Sequence, residues 1–367
     1  MEELTPDDPR RVGRNGDYEL LARLGNGGMG RVYLGRSKTA ERVAVKVILP
    51  HLVSDPDVRK RFATEVDSLR LAHGIRVAQY RGSEINERQP WLAVQYVPGR
   101  TLRQQVEDKG VMRPRVVAAL GAMLAEGLLT IHDAGLLHRD LKPANIMLGP
   151  DGPCIIDLGL AVLQESDSHL TQTGFAVGTA AYMPPEQACG EKNLTGAVDV
   201  YALGATLLYA ATRHNPYPPS HAAVLAKRIT DPNDHPDLTG LSTELQAVVG
   251  AMLAFEAHER PTAEEVCTEL TAVATAGDVD FEVVRHELVT TTYTLAPAAV
   301  PNGRRDLDGP VDVSWSLGPT ELIDDPPAPT PKRVVEEREP TPKPSSGTDL
   351  TALVAQLRRQ YAQRAEQ

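Results

Sequence analysis

The chain has 367 residues, 38 Lys and Arg against 49 Asp and Glu, a formal net charge of −11 and 41% hydrophobic residues. That apolar content supports a core and excludes a wholly disordered chain, and the acidic balance argues against a general nucleic-acid binder, which needs a basic face for phosphates. Cys154, Cys189 and Cys267 form neither a disulfide framework nor a zinc pattern, the first 20 residues lack a signal peptide's apolar run, and no stretch approaches the roughly 20 apolar residues of a membrane span, so a cytoplasmic protein is expected.

Residues 1–17, with Pro6, Pro9, Gly13 and Gly16, read as a flexible leader. Tyr18–Leu24, Gly30–Arg36 and Arg42–Leu49 carry β-branched and apolar residues between Gly or polar turns, the pattern of strands. A helix is expected over Asp57–Ala72, because Val58, Phe62, Val66 and Leu69 share one face. After Gly99 the pattern lengthens. Pro114–Ala134, Val198–Ala211 and Thr243–Phe255 predict long helices, and Pro219–Thr230 and Ala263–Ala274 predict further ones. The expectation is an α+β protein with a small β-rich lobe, 18–98, and a larger mainly helical lobe, 99–274. Beyond Ala274 the composition shifts: residues 297–344 hold 11 of the 29 prolines, which marks 275–347 as an acidic, Pro-rich linker. In 348–367, Leu350, Leu353, Val354, Leu357 and Tyr361 form a helical stripe that is marginal without a partner surface.

Four motifs carry chemistry. Gly25-Asn26-Gly27-Gly28-Met29-Gly30-Arg31-Val32 lies between two strands, where glycines let backbone N–H groups approach phosphate oxygens. A dinucleotide fingerprint would open a helix here, and the strand pattern that follows disfavours it. Lys46 ends the apolar strand Val43-Ala44-Val45. It could simply snorkel to solvent, but Glu65 on the next helix offers a partner beside the glycine loop. The string His138-Arg139-Asp140-Leu141-Lys142-Pro143-Ala144-Asn145 combines an Asp that can accept a hydroxyl proton, a Lys that can steady a phosphate and an Asn that can help hold a metal ion. Asp157-Leu158-Gly159 follows the apolar run Cys154-Ile155-Ile156 and places a carboxylate at a strand end.

Together these stretches resemble, in order and spacing, the eukaryotic-like (Hanks-type) Ser/Thr protein kinases of bacteria, over roughly Tyr18 to Ala274. The resemblance implies a bilobal protein kinase fold, ATP as cofactor with Mg²⁺, for which Mn²⁺ could substitute, and protein substrates phosphorylated on Ser or Thr. It implies that Leu24, Gly25, Asn26, Gly27, Gly28, Met29, Gly30 and Val32 cover the nucleotide. Lys46, paired with Glu65, would hold its phosphates, Ala44 and Leu148 would sandwich adenine, and Gln95–Val97 would be the hinge, with Val94 guarding the pocket behind it. Asp140 would be the catalytic base, Lys142 would support the γ-phosphate, and Asn145 and Asp157 would bind the metal. By the same resemblance Thr171 and Thr173 are activation-loop phosphosites modified during transient self-association, Thr179 shapes the substrate groove, Glu186 and Arg260 form a structural ion pair, and Asp199 holds the catalytic loop.

Leu158 stands where the family usually has Phe, Pro184 where it has a small residue, and Arg76 and Gln79 where relatives are apolar. Two other functions compete: a small-molecule phosphotransferase of related fold, and a kinase-fold scaffold working through its tail. The full glycine loop and the Gly178-Thr179…Pro184-Pro185-Glu186 segment favour the protein kinase. The 348–367 helix is a candidate docking element for a partner, tethered by the linker.

Overall fold

The computed structural model describes residues 1–13, 16–26, 30–86, 89–158, 180–218 and 221–293. All lie in the first of two units, Met1–Gly303 and Arg304–Gln367. The expectations for Gly27, Gly28, Met29, Thr171, Thr173 and Thr179, and for the linker and helix beyond residue 293, fall outside the described residues.

The smaller lobe is an antiparallel sheet of β1 (Arg11–Val12), β2 (Tyr18–Asn26), β3 (Gly30–Ser37), β4 (Arg42–Ile48), β6 (Trp91–Gln95) and β5 (Tyr80–Glu84), in that spatial order. Period-two alternation decides which side chains face which way. On β4, Val43, Val45 and Val47 are buried on the outer face with Leu20, Tyr33 and Ala93. Ala44 and Lys46 take the opposite face, and the register sets Lys46 between Val32 on β3 and Leu92 on β6. Helix α1 (Pro56–Leu71) covers that side: Val58, Phe62, Val66 and Leu69 are all buried, as the spacing predicts, and Glu65 is buried with them.

The lobes are stitched behind the cleft. Ala78 N–H donates to Ile155 O (2.9 Å) and Ile155 N–H to Arg76 O (2.7 Å), two residues before Asp157. The polar departures at Arg76 and Gln79 serve this crossing. Gln79 Nε2 donates to the Gly74 and Val77 carbonyls (2.6 and 2.9 Å), and Arg76 reaches Glu126 and the Asp151 carbonyl.

In the larger lobe, α2 (Leu102–Lys109) starts with a reciprocal capping box between Thr101 and Gln104. The core is built on α3 (Pro114–Asp133), α5 (Ala197–Thr212), α7 (Thr243–Met252) and α8 (Ala263–Ala274); α4 (Pro185–Ala188) and α6 (Ala222–Ile229) pack at its edge. At Gly121 a Cβ would stand 2.6 Å from Leu270 and 2.7 Å from Leu207, so glycine permits the close approach of α3, α5 and α8. A small sheet of β7 (Arg100–Thr101), β8 (Ile146–Gly149) and β9 (Gly152–Ile155) floors the cleft.

Four expectations need correction. Residues 1–13 are not a loose leader. Glu2 and Arg23 exchange two backbone hydrogen bonds, β1 pairs with β2, and Val12 joins the outer core of the sheet. The segment after Ala274 does not begin as linker: α9 (Phe281–Thr292) buries Val284 and Leu288 against the main core, and Arg113 pairs with Glu287. Helix α7 stops at Met252 rather than Phe255: the Ala254 N–H donates to Ala251 O, three residues back, instead of extending the four-residue ladder, and Arg260 bonds the Ala254 and Phe255 carbonyls beyond the end. Finally, α3 is long and apolar enough to cross a bilayer by length and composition, contrary to the sequence reading; 72% of its most apolar window is buried inside the lobe, the position of a core helix.

Candidate active site

Between the lobes lies a cleft of about 890 Å³. Its roof comes from β2, β3 and β4: Leu24, Gly25, Val32, Ala44 and Lys46 line it. Gln95, Tyr96 and Val97 form its back edge, with Val94 deeper in, and Met147, Ile156 and Asp157 its floor. Asn26 and Gly30 are in the flanking strands but not among the lining residues. Leu148 is a correction. It is buried in the main core and its neighbour Met147 lines the cleft, because adjacent residues of β8 face opposite sides.

Across the roof, Lys46 Nζ donates to both Glu65 oxygens, at 2.8 and 2.9 Å. The glutamate side chain is 1% exposed and the lysine 13%. Burial alone would lower the lysine's proton affinity, but the charges of Glu65 and Asp157 outweigh it and hold the ammonium above its ordinary value.

On the floor, Lys142 Nζ donates to Asp140 Oδ1 and Oδ2 (2.9 and 2.7 Å). Asn145 Nδ2 donates to the Asp140 carbonyl and to Oδ2 (2.9 and 3.2 Å), so its amide nitrogen is committed and Oδ1 is its acceptor end. Ile156 N–H donates to Asn145 O (2.9 Å), which ties the strand entering Asp157 to the same loop. His138 closes the knot. Its Nδ1 accepts from the Asp140 N–H (3.2 Å), which leaves Nε2–H to donate to Ile156 O (3.3 Å). Arg139 and Asp157 sit at φ +61° and +58°, a left-handed backbone that non-glycine residues hold only where surroundings over-determine it.

Asp199 supplies that determination at Arg139. Wholly buried, its carboxylate accepts from the His138 N–H (2.9 Å), the Arg139 N–H (2.8 Å) and His132 Nε2 (2.8 Å). Burial would raise this carboxyl, but His132 and the His138 environment overcome it and hold Asp199 below the usual range. Below the loop, Glu186 and Arg260 pair through two bonds (2.6 and 2.9 Å). Arg260 also donates to the carbonyls of Ala197, Ala254 and Phe255 and lies over the Tyr201 ring. Gln187, next to Glu186 on α4, donates to Arg139 O (2.9 Å).

The structure therefore brings Lys46, Glu65 and Asp157 together, gathers Asp140, Lys142 and Asn145 in a second cluster joined to the residue before Asp157 by the Asn145–Ile156 bond, and places Asp199, Glu186 and Arg260 as supports. Sequence reasoning missed His132 and Gln187. Their partners lie 67 and 48 residues away, and no local pattern marks them. Among the described residues no group of three or more His, Cys, Asp and Glu side chains forms a metal site. The Asp157 carboxylate with the Asn145 amide oxygen is a hard-oxygen donor set, which suits Mg²⁺ or Mn²⁺ bound together with phosphate oxygens.

A β-rich lobe hinged over a helical one, with a Lys–Glu pair in the roof and an Asp–Lys–Asn loop in the floor, is the arrangement of the protein kinase class. The protein kinase domain family matches residues 18–270. The serine/threonine-protein kinase AfsK of Streptomyces coelicolor is 42% identical over 271 residues, 74% of this chain and 33% of AfsK. The probable serine/threonine-protein kinase PkwA of Thermomonospora curvata is 41% identical over 278 residues, 76% of this chain and 36% of PkwA. PknB of Mycolicibacterium smegmatis is 36% identical over 308 residues, 80% of this chain and 49% of PknB. Among solved structures, the kinase domain of PknI from Mycobacterium tuberculosis shares the fold, with a TM-score of 0.55 at 24% identity over 70% of this chain and 96% of that one. The chain belongs to the protein kinase family, among the Hanks-type serine/threonine kinases of bacteria. It spans about a third of the length of AfsK and PkwA.

Proposed function

We propose that this chain transfers the γ-phosphate of ATP to Ser and Thr hydroxyls of protein substrates. The observation that carries the reading is the formed Lys46–Glu65 pair on a cleft that Asp157 also lines, with the Asp140–Lys142–Asn145 cluster tied to the strand entering Asp157 by the Ile156 N–H to Asn145 O bond. These are the two sets of groups that a phosphoryl-transfer site combines. The apolar walls at Val32, Ala44 and Met147 suit a purine, and the backbone at Gln95–Val97 suits its polar edge. Asn26, Gly27, Gly28, Met29 and Gly30 would close over the phosphates. Lys46 would hold the phosphates in line, at a charge fixed by Glu65. The Asp140 carboxylate would take the proton of the attacking hydroxyl, and Lys142 beside it would offset charge on the transferring group. Asn145 and Asp157 would hold Mg²⁺ or Mn²⁺, which when bound screens the phosphate charge.

Activation belongs to the same reading: phosphate on Thr171 and Thr173, added by a second copy in a transient encounter, would pair with basic groups including Arg139. Thr179 would shape the groove for the target residue, and the 348–367 helix would dock the partner or substrate. The three free cysteines fit a reducing cytoplasm. The test is incubation of the full chain with ATP and Mg²⁺ in the presence of a generic protein acceptor, alongside Asp140→Asn. Phosphoserine and phosphothreonine should appear with the wild-type chain and not with the variant. Phosphate on an added small molecule alone, or equal incorporation by both proteins, would overturn the reading.

A further inference from the structure

The cleft roof has a second support, on the side facing away from the site. Asp8, in the arm that precedes β1, buries its carboxylate completely on the outer face of the β2–β3 hairpin. Oδ2 accepts from Thr5 N–H (2.8 Å), Thr5 Oγ1 (2.8 Å) and Arg23 Nη2 (2.6 Å). Oδ1 accepts from Tyr33 OH (2.7 Å) and Arg31 Nη1 (3.1 Å). Burial alone would push this carboxyl up; the bonds from Tyr33, Thr5 and Arg23 overcome it and hold Asp8 far below the usual carboxylate range.

What matters is where these donors come from. Arg23 belongs to β2, and Arg31 and Tyr33 belong to β3. They flank the turn of the glycine-rich stretch, and the next residues, Leu24 and Gly25 on one strand and Val32 on the other, line the nucleotide cleft. One carboxylate thus ties both strands immediately before and after the turn, from behind the surface that faces the cleft. The strand ladder does not fix this hairpin by itself: its register shifts between Leu20 and Ala22 and again between Arg23 and Gly25. A bulge locally disrupts the ladder and leaves a residue unpaired, and Gly-rich strands specify register weakly, so a side-chain contact there carries more of the alignment. The Asp8 bonds fall at the second shift. Apolar residues in place of the ionic cluster could pack as stably; a five-donor carboxylate adds directional alignment. The arm also reaches the cleft itself, since Met1 lines it.

We propose that Asp8 is a positioning residue, and that the arm through it sets the alignment of the glycine-rich hairpin and so the affinity for nucleotide. The inference rests on the nucleotide-binding reading above. It is tested with the full chain by titrating a fluorescent ADP analogue in Mg²⁺ and by steady-state kinetics. Asp8→Asn should raise the nucleotide dissociation constant and the KM for ATP about tenfold, the factor that about 1.4 kcal/mol represents. The KM for the protein acceptor and kcat should stay within about twofold, because the floor residues are untouched. Tyr33→Phe removes one donor of five and should raise the dissociation constant about threefold. It and Arg31→Gln, whose side chain is partly exposed, carry the test if Asp8→Asn does not fold. A purely structural role for Asp8 would lower the unfolding temperature and leave the affinity of the folded fraction unchanged, which overturns the proposal. If the wild-type chain binds no nucleotide, the function reading fails, and hydrogen exchange then decides the clamp alone. Amides at 23–25 and 30–33 should exchange faster in Tyr33→Phe, and unchanged exchange overturns it.

Discussion

Replacing Lys46 by Met keeps the length and apolar stem of the side chain and deletes only the charge that faces Glu65. The glutamate then stays 1% exposed, in the field of Asp157, with its two bonds to Lys46 gone. Leaving a buried charge without its partner typically costs about 3–5 kcal/mol. The carboxyl can avoid part of that by taking a proton. Doing so costs about 1.4 kcal/mol for each pH unit above the ordinary Glu value of about 4.3, or about 4 kcal/mol at pH 7. The variant should therefore lose about 3–4 kcal/mol at neutral pH, a fall in unfolding temperature of about 6–16 °C for a domain of this size. The sign of the pH dependence follows from proton counting. In the variant the folded state binds a proton that the unfolded state releases, so stability relative to wild type falls as pH rises, by up to about 1.4 kcal/mol per unit. Differential scanning fluorimetry of both proteins between about pH 5 and pH 8, without nucleotide, measures it, and the gap should be smallest at the acid end. Adding Glu65→Gln to Lys46→Met removes the titrating group and should flatten the profile. A gap that is constant across this range would show that Glu65 is not held as an unpaired buried acid, and would refute the argument.

Glu186→Ala should destabilise by about 3–5 kcal/mol, and Arg260→Ala by at least as much, because three further carbonyls lose their donor. The double variant should cost far less than the sum; urea unfolding that finds the two effects additive within about 0.5 kcal/mol would refute the coupling. Leu288→Ala should cost about 2–5 kcal/mol if α9 is part of the catalytic lobe's core, and a change below about 0.5 kcal/mol in the same assay would return that helix to the linker. Under native conditions at mildly alkaline pH, iodoacetamide should modify exposed Cys189 first and Cys154 only after unfolding, since burial pushes the Cys154 thiol up to about 12. Peptide mapping reads the order, and early labelling of Cys154 would contradict the packing behind the hinge.

The fold was legible where one period dominates. The stripe of Val58, Phe62, Val66 and Leu69 predicted α1 within a residue, and Ala263–Ala274 was read to its observed ends. Two of the corrections, the N-terminal arm and α9, share a cause, which is that the deciding contact lies far away in the chain. The α3 helix and the main core hold α9, and the hairpin flanking the glycine-rich turn holds the arm at Asp8. Leu148 was placed in the cleft by one step too many along β8, where a slip of one residue reverses the face.

By itself the sequence determined which groups are available for chemistry: the glycine loop, Lys46, Glu65, the Asp140–Asn145 string and Asp157 all stand in short runs whose spacing is local. The tertiary structure decided how those groups are held, beyond the role of Asp199 that the family resemblance already implied. The Asp199 carboxylate that fixes the loop backbone, the His132 that holds it, the Gln79 that steadies the crossing between lobes and the Asp8 that spans the roof hairpin act through hydrogen bonds. Three of the four bring in partners distant in sequence. A buried polar group is costly until its partner arrives, and only the folded chain shows which partner that is.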